Sequence, residues 1–416
     1  MTHPCLRFAG CMLAVALFFR PMLAADPPGG TPPAADSSAS LNAALIYWQA
    51  FAAMPTLPDE HQQKFDAATK TVDTPVTEEL RPTMALFGLS LGELQRARTA
   101  PVCDWQLNYE AGPQLLLPHL QKARELSRAA LLRARLRFAA GEADAAVEDV
   151  VAVLKMARDS GRSPLLISLL VDIAIEKMAG EVLAANLPRL QAGQLDQLAV
   201  ALNQLPPTAT FADCVRCEGR IFGGWLERRV EAEAAKLADP QAGGQVITAI
   251  QREGILSGDG EPDAATPEGQ RQRDLLQSLT LAEVRESLRR LRVDYEDMAK
   301  ITSLNHADQA TRWTEFEAGL AAARKLGNRE DLLRIFSVAL LPAVSKVYQR
   351  EEQLHVRRNL LDLAVQVQRH GPEALQAART YGNSKVEYRR TAAGFELQCQ
   401  PASSDKPEIM AVGAPK

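Results

Sequence analysis

Two cysteines separated by two residues, Cys214 and Cys217, form the motif of this sequence that comes closest to known chemistry. They follow Thr210 near a predicted helix N-terminus, where the helix dipole stabilises a thiolate. Active dithiols of this spacing usually lie in a βαβ unit, which the surrounding pattern lacks, and haem attachment needs a histidine where Glu218 stands. We therefore favour a packed or disulfide-bonded pair. Thiol oxidoreduction and metal binding remain alternatives.

The segment from Cys103 to His119 is the second candidate, because it mixes aromatic and ionisable residues between two predicted helices. The residues that could bind a ligand or act in catalysis are Asp104, Trp105, Tyr109, Glu110 and His119. Loops held by rigid helices often carry binding sites. The structural alternative, which we favour, is that the aromatic rings fill a gap between helices while Asp104 and His119 cap helix ends. A binding groove and an enzyme of unrecognised type that uses Asp104, Glu110 and His119 remain open.

Glu352 and His355 have the Glu-x-x-His spacing of di-iron helical bundles, because residues three apart share a helix face. Such a site needs a second copy of the motif and two further carboxylates, and the sequence contains one copy. The chain also lacks His-Glu-x-x-His, a glycine-rich phosphate loop with lysine, and Gly-x-Ser-x-Gly. We therefore expect no metal site and no cofactor, and a non-enzymatic role is favoured over an enzymatic one.

The N-terminus predicts export. An apolar run from Phe8 to Phe19 is followed by Leu23-Ala24-Ala25, a pattern typical of a secretory signal peptide over residues 1–25. The run is shorter than the roughly 20 residues that span a membrane, and no later stretch is apolar enough, so no membrane span is expected. Residues 26–40 are rich in Pro, Gly and Ser and predict a disordered linker. The expected location is the periplasm or the extracellular space.

Charge and cysteine content restrict the partners and the compartment. The formal net charge is −4, so nucleic acid is not an expected partner. Two of the six cysteines precede residue 26, which leaves Cys103, Cys214, Cys217 and Cys399. Disulfides persist in exported proteins, but four thiols allow three pairings that the sequence does not distinguish.

Helical periodicity dominates the chain and predicts an all-α fold, an irregular antiparallel array of about eleven helices. Apolar residues at helical spacing follow a capping box formed by Thr280 and Glu283, at Val284, Leu288, Leu291, Tyr295 and Met298. Residues 131–158 predict a tetratricopeptide-like hairpin that turns at Gly141, but no 34-residue period recurs. A regular solenoid is therefore not expected.

Glycines and a change of period divide the helical array. Residues 239–269 contain Gly243-Gly244 and further glycines and prolines, and predict a flexible loop between helical halves at 41–238 and 270–399. Over 386–399 apolar residues alternate with polar ones, which predicts a β-hairpin that must dock on a helix. Residues 400–416 predict a disordered tail.

Several motifs resemble those of a known family. These are Cys103-Asp104-Trp105, Gly112-Pro113, Leu117-Pro118-His119-Leu120, and Tyr388-Arg389-Arg390-Thr391 with Gly394-Phe395. Together they resemble a family of uncharacterised exported bacterial helical proteins with tetratricopeptide-like hairpins and a C-terminal hairpin. The resemblance covers most of Leu41 to Cys399. It implies the fold and the compartment, but it carries no known activity from which a catalytic residue could be transferred.

These observations predict a non-enzymatic scaffold or binding protein of the cell envelope, since helical arrays present extended concave surfaces. The expected partner is an envelope protein or a peptide, and the oligomeric state stays open. The alternatives are the enzyme that uses the Asp104 segment and the thiol oxidoreductase that uses Cys214 and Cys217.

Overall fold

The computed structural model describes residues 41–237, 239–252, 266–325, 327–341, 344–377, 385–402, 404 and 406–413. The predictions for the signal peptide and the linker lie outside these residues. Within them the chain forms sixteen α-helices and one three-stranded antiparallel sheet, which confirms the all-α class with a small C-terminal β element. None of the described helices is both long enough and apolar enough to cross a membrane.

The first eight helices share one hydrophobic core. They are α1 (Ala43–Ala52), α2 (Asp59–Ala68), α3 (Arg81–Leu86), α4 (Gly88–Ala97), α5 (Pro118–Ala139), α6 (Ala143–Gly161), α7 (Leu166–Asn186) and α8 (Ala192–Asn203). The turn between α5 and α6 contains Gly141 at a φ of +80°, a conformation that glycine adopts without steric cost. Ala134 on α5 and Ala146 and Val150 on α6 are fully buried. The helical hairpin predicted over 131–158 is therefore present.

The remaining helices build a second core. They are α9 (Phe211–Leu237), α10 (Gly243–Gln251), α11 (Pro267–Gln277), α12 (Leu281–Ile301), α13 (His306–Ala323), α14 (Arg329–Leu332), α15 (Ile335–Leu340) and α16 (Val344–His370). The capping box of Thr280 and Glu283 starts α12, and its predicted apolar stripe is buried. More helices are present than the eleven expected, because pieces of four to six residues such as α14 and α15 are too short to show a period.

The two cores do not follow the predicted halves at 41–238 and 270–399. Helix α9, assigned to the first half, buries Val215 and Leu226 in the second core. Helix α16 belongs to both, since Tyr348 packs in the second core and Leu360 in the first. Helix α7 also contributes to both, since Leu169 packs in the second core and Ile175 in the first. The two cores are therefore not separated at one point of the chain, and the end of the chain returns to the first core.

The predicted flexible loop at 239–269 is partly helical, because α10 lies inside it. Gly243 and Gly244 approach the backbone of Gln277, Leu279 and Thr280 so closely that a Cβ at either glycine would overlap it. The Gly244 amide donates a hydrogen bond of 3.0 Å to the Leu279 carbonyl. These glycines permit close helix packing instead of marking a loop, so the prediction is wrong for residues 243–251, and also for residues 267–269, where α11 begins. Residues 253–265 lie outside the described residues.

The C-terminal sheet consists of β1 (Glu387–Arg390), β2 (Phe395–Cys399) and β3 (Glu408–Val412), in that order. The first two strands are the predicted hairpin. The third corrects the prediction of a disordered tail at 400–416: Leu397 of β2 pairs with Met410 of β3, and both are buried. The Gly413 amide donates to the Ala184 carbonyl of α7 at 3.1 Å, which fastens the strand to the helical core. A lone hairpin is marginal in water, and this third strand stabilises it.

Candidate functional site

Trp105 lies in a buried aromatic cluster between α1, α5 and α6. Its side chain is 8% exposed, and its indole Nε1 donates a hydrogen bond of 3.0 Å to the Asp159 carbonyl. The ring stacks on Tyr47, with centroids 5.7 Å apart, and on His119, with centroids 4.3 Å apart. This position agrees with the structural alternative, in which the ring fills a gap between helices.

His119 is 1% exposed, and its Nε2 has no hydrogen-bond partner among the described residues. Burial lowers its pKa to about 4, because the charged imidazolium would lose its hydration. Asp104 and Glu110 are exposed instead. The three residues of the predicted enzyme therefore do not face one common space, although they lie within 16 positions of each other in the sequence.

Asp104 forms hydrogen bonds that hold its segment against the start of α1. The Asp104 amide donates to the Asn42 side-chain oxygen, and the Asn42 side-chain amide donates to the Asp104 carbonyl, both at 2.9 Å. The Asp104 carboxylate accepts from the amide of Gln106, which has a φ of +51°. Asn42 also caps α1 through the Ala44 amide. Asp104 therefore stabilises a turn and joins it to a helix end.

Tyr109 and Glu110 begin a 3-10 helix, Tyr109–Gln114, that packs on α9. Gly112 has a φ of +57°, and a Cβ there would overlap the Trp225 ring of α9. Burial raises the pKa of Tyr109, although a hydrogen bond to Ser163 acts in the opposite direction. This part of the predicted binding segment therefore connects the first core to the second.

Cys214 and Cys217 lie on one face of α9 as free thiols, with exposed fractions of 0% and 7%. Burial raises the pKa of both thiols, because a thiolate would be desolvated. The helix dipole that we expected to favour the thiolate is therefore outweighed. No group of three or more metal-ligating side chains occurs in the described part of the chain. The arrangement supports packed structural thiols.

A buried ion cluster that no sequence motif indicated joins three helices. Asp172 and Glu176 of α7 meet Arg158 of α6 and Arg358 of α16. Glu176 accepts from Arg158 Nε at 2.8 Å and from Arg358 Nε at 2.7 Å. Burial, and then the charge of Glu176, raises the pKa of Asp172 well above its usual range. The signal that could have revealed the cluster is the pair of acids four residues apart in a strongly apolar helix.

A groove of about 460 Å³ lies between α6 and α8, and Arg98 and Thr99 also line it. The α6 wall is one helix face, formed by Asp144, Val147, Glu148, Val151 and Lys155. The α8 wall presents amides, with Gln194 and Gln197 in its first half and Gln204 just after its end. Gln194 donates to the Asp144 carboxylate at 2.7 Å and bridges the two walls. Nothing in the sequence indicates this groove, because none of its residues forms a motif.

The segment from Cys103 to His119 is connected to this groove through Asp159. Lys155 in the groove donates a hydrogen bond of 2.5 Å to the Asp159 carboxylate. Asp159 also accepts from the Tyr47 hydroxyl at 2.8 Å, and its backbone carbonyl accepts from Trp105. A chain of three contacts therefore connects the aromatic cluster to the groove.

No family model, no curated protein and no solved structure matches this chain. The resemblance described above stays a prediction, and the function is inferred from the geometry of the groove.

Proposed function

We propose that this protein is an exported, non-enzymatic binding protein of the cell envelope that holds an extended peptide segment of a partner between α6 and α8. The observation that carries the proposal is the row of glutamine side chains that faces charged residues of both signs across the groove. A glutamine amide both donates and accepts hydrogen bonds, so it can pair with a peptide group whatever the partner's sequence. The groove volume of about 460 Å³ lies within the usual range for ligand sites.

The dimensions of the groove fit a short strand. Gln194 and Gln204 are ten residues apart, which corresponds to roughly 15 Å along a helix. An extended peptide advances about 3.3 Å per residue, so the row spans about four to five residues. The facing α6 wall, from Asp144 to Lys155, has a similar length. Both walls can therefore contact the same peptide segment.

The amides that would contact the peptide are available. Among the described residues, the side chains of Gln197 and Gln204 form no hydrogen bond, and both are exposed. The charged groups are already held in place, since Arg98 pairs with Glu148 at 3.6 Å and Lys155 with Asp159. The ordered charged groups lower the entropic cost of binding, whereas the two free amides become ordered only when the peptide binds. The alternative enzyme has no comparable support, because His119 is enclosed.

Peptide display tests the proposal. Peptides selected from a random library on the purified protein should bind the wild type, and Gln197→Ala with Gln204→Ala should weaken them about tenfold through two lost hydrogen bonds. Gln349→Ala is the matched control, because Gln349 is exposed on α16. Fluorescence anisotropy of the labelled peptide measures the affinity. Equal affinity of the double variant and the control would refute the groove as the site.

A further inference from the structure

We propose that a second site, between α13 and the start of α16, binds a small amphipathic carboxylate with an aromatic or branched apolar body. The site is a pocket of about 270 Å³. Its residues belong to the second core, whereas the α6–α8 groove belongs to the first. The two proposals are therefore independent, and either can fail alone.

The walls of this pocket are apolar and aromatic. Trp313, Phe316 and Leu320 of α13 are three and four residues apart and therefore share a helix face. Leu341 and Val344 form the opposite wall. Apolar walls of this kind favour a hydrocarbon or aromatic group over water.

The aromatic wall is held in a defined geometry. The Trp313 and Phe316 rings meet edge to face, with centroids 6.2 Å apart and an interplanar angle of 87°. Trp313 also contacts Tyr348 of α16 at a centroid distance of 5.8 Å. Trp313 is 7% exposed and Leu320 is buried, so packing restricts both side chains before a ligand enters. Such preorganisation lowers the entropic cost of binding.

The rim carries an excess of positive charge. Arg324 and Lys346 line the pocket and are exposed, and within the described part of the chain neither forms an ion pair. Glu317, which is the carboxylate among the lining residues, accepts a hydrogen bond from the Ser345 hydroxyl. Two cations without carboxylate partners beside an apolar pocket are complementary to a ligand whose single charge is negative.

The volume limits the size of the ligand. Since a water molecule occupies roughly 30 Å³, a pocket of about 270 Å³ corresponds to about nine waters. A phenyl ring with a short alkyl chain is close to this size. The ring would lie against Trp313 and Phe316, and the carboxylate would reach Arg324 and Lys346. We therefore choose 4-phenylbutyrate as the probe and its neutral amide, 4-phenylbutyramide, as the charge control.

Isothermal titration of the purified chain tests the site. We expect 4-phenylbutyrate to bind at least tenfold more tightly than 4-phenylbutyramide. Arg324→Gln combined with Lys346→Gln should lower the affinity for the acid to that of the amide. Absence of binding to the wild type at millimolar acid, or equal affinity for acid and amide, would overturn the proposal.

A pair of alanines on α13 provides a matched test of position. Ala321 lines the pocket and Ala318 does not, and both are exposed on the same helix. Ala321→Phe should fill the pocket and abolish binding of 4-phenylbutyrate, whereas Ala318→Phe should retain it. Circular dichroism should show equal unfolding temperatures for the two variants. Unchanged affinity in the folded Ala321→Phe variant would place the probe elsewhere and refute the site.

Discussion

The imidazole of His119 stacks on the indole of Trp105, with ring centroids 4.3 Å apart and planes inclined by 23°. Both side chains are buried, and the Trp105 indole is also hydrogen-bonded to the Asp159 carbonyl. This stack connects the start of α5 to the end of α6. Two residues that were candidates for binding or catalysis therefore stabilise α5 and α6, and α6 forms one wall of the α6–α8 groove.

Trp105→Ala should destabilise the protein strongly. Truncation of a buried tryptophan typically costs about 3–5 kcal/mol through lost contacts and the cavity that remains, against a total stability of roughly 5–15 kcal/mol. The urea midpoint should fall clearly. Trp48→Ala is the control, because Trp48 is 39% exposed and should have a smaller effect. A midpoint within error of the wild type would show that Trp105 is not an anchor.

His119 should make the protein sensitive to acid. Its pKa is lowered from 6.5 to about 4 by burial, so between these values the unfolded chain takes up a proton that the folded chain does not. Stability is therefore lost as the pH falls from about 6.5 to 4, by up to about 3 kcal/mol.

The variant His119→Phe tests this acid sensitivity, because it keeps an aromatic stack and removes the ionisable group. Urea unfolding at several pH values should show a flatter profile over this interval than in the wild type. His370→Gln removes an exposed histidine and is the matched control. An unaltered acid sensitivity in His119→Phe would contradict the assignment.

Glu218 should make the folded protein less stable as the pH rises, which is the opposite of the effect of His119. Burial raises its pKa from 4.5 to about 7, so the folded chain holds a proton that the unfolded chain releases as the pH rises between these values. Stability is then lost from about pH 4.5 to 7, again by up to about 3 kcal/mol.

Glu218→Gln should remove this loss at high pH. The glutamine oxygen can still accept the hydrogen bond of 2.8 Å from the Leu166 amide. The variant should match the wild type near pH 4.5 and exceed its stability at pH 8. Glu315→Gln removes an exposed carboxylate and is the matched control. Parallel curves for Glu218→Gln and the wild type would refute the prediction.

Arg358→Met should be among the most destabilising changes, because it leaves buried Asp172 and Glu176 without one of their cations. Removal of one partner of a buried ion pair typically costs about 3–5 kcal/mol. Combination with Glu176→Gln should recover part of the loss, and chemical denaturation of the four proteins in a double-mutant cycle measures this coupling. Additive effects would show that the two side chains do not depend on each other.

Cys214 and Cys217 should be unreactive in the native protein. Both thiols are buried with raised pKa values, so a thiol reagent should label them slowly before unfolding and fully in guanidinium chloride. An insulin-reduction assay should show no turnover. Turnover that Cys214→Ser abolishes would establish the thiol oxidoreductase that we consider the less favoured alternative.

The sequence by itself determined most of the local structure, because helices and strands depend on residues close together in the chain. The capping box of Thr280 and Glu283, the apolar stripe behind it and the turn at Gly141 were all visible as short-range patterns. The alternation over β1 and β2 was equally local. The hairpin of β1 and β2 could therefore be predicted without knowledge of any distant contact.

Only the tertiary structure decided which of the candidate site residues are accessible to solvent and which carry a charge. By sequence, Gly243 and Gly244 indicate a loop, but in the structure they allow close packing against the backbone of Leu279 and Thr280. Strand β3 is stable because it pairs with Leu397 and its neighbours in β2. The sequence presents His119 as a candidate for chemistry, but the Trp105 ring and the surrounding helices enclose it. Hydration and electrostatics depend on neighbours that are far away in the sequence. The lowered pKa of His119 and the groove between α6 and α8 therefore arise only when the helices pack.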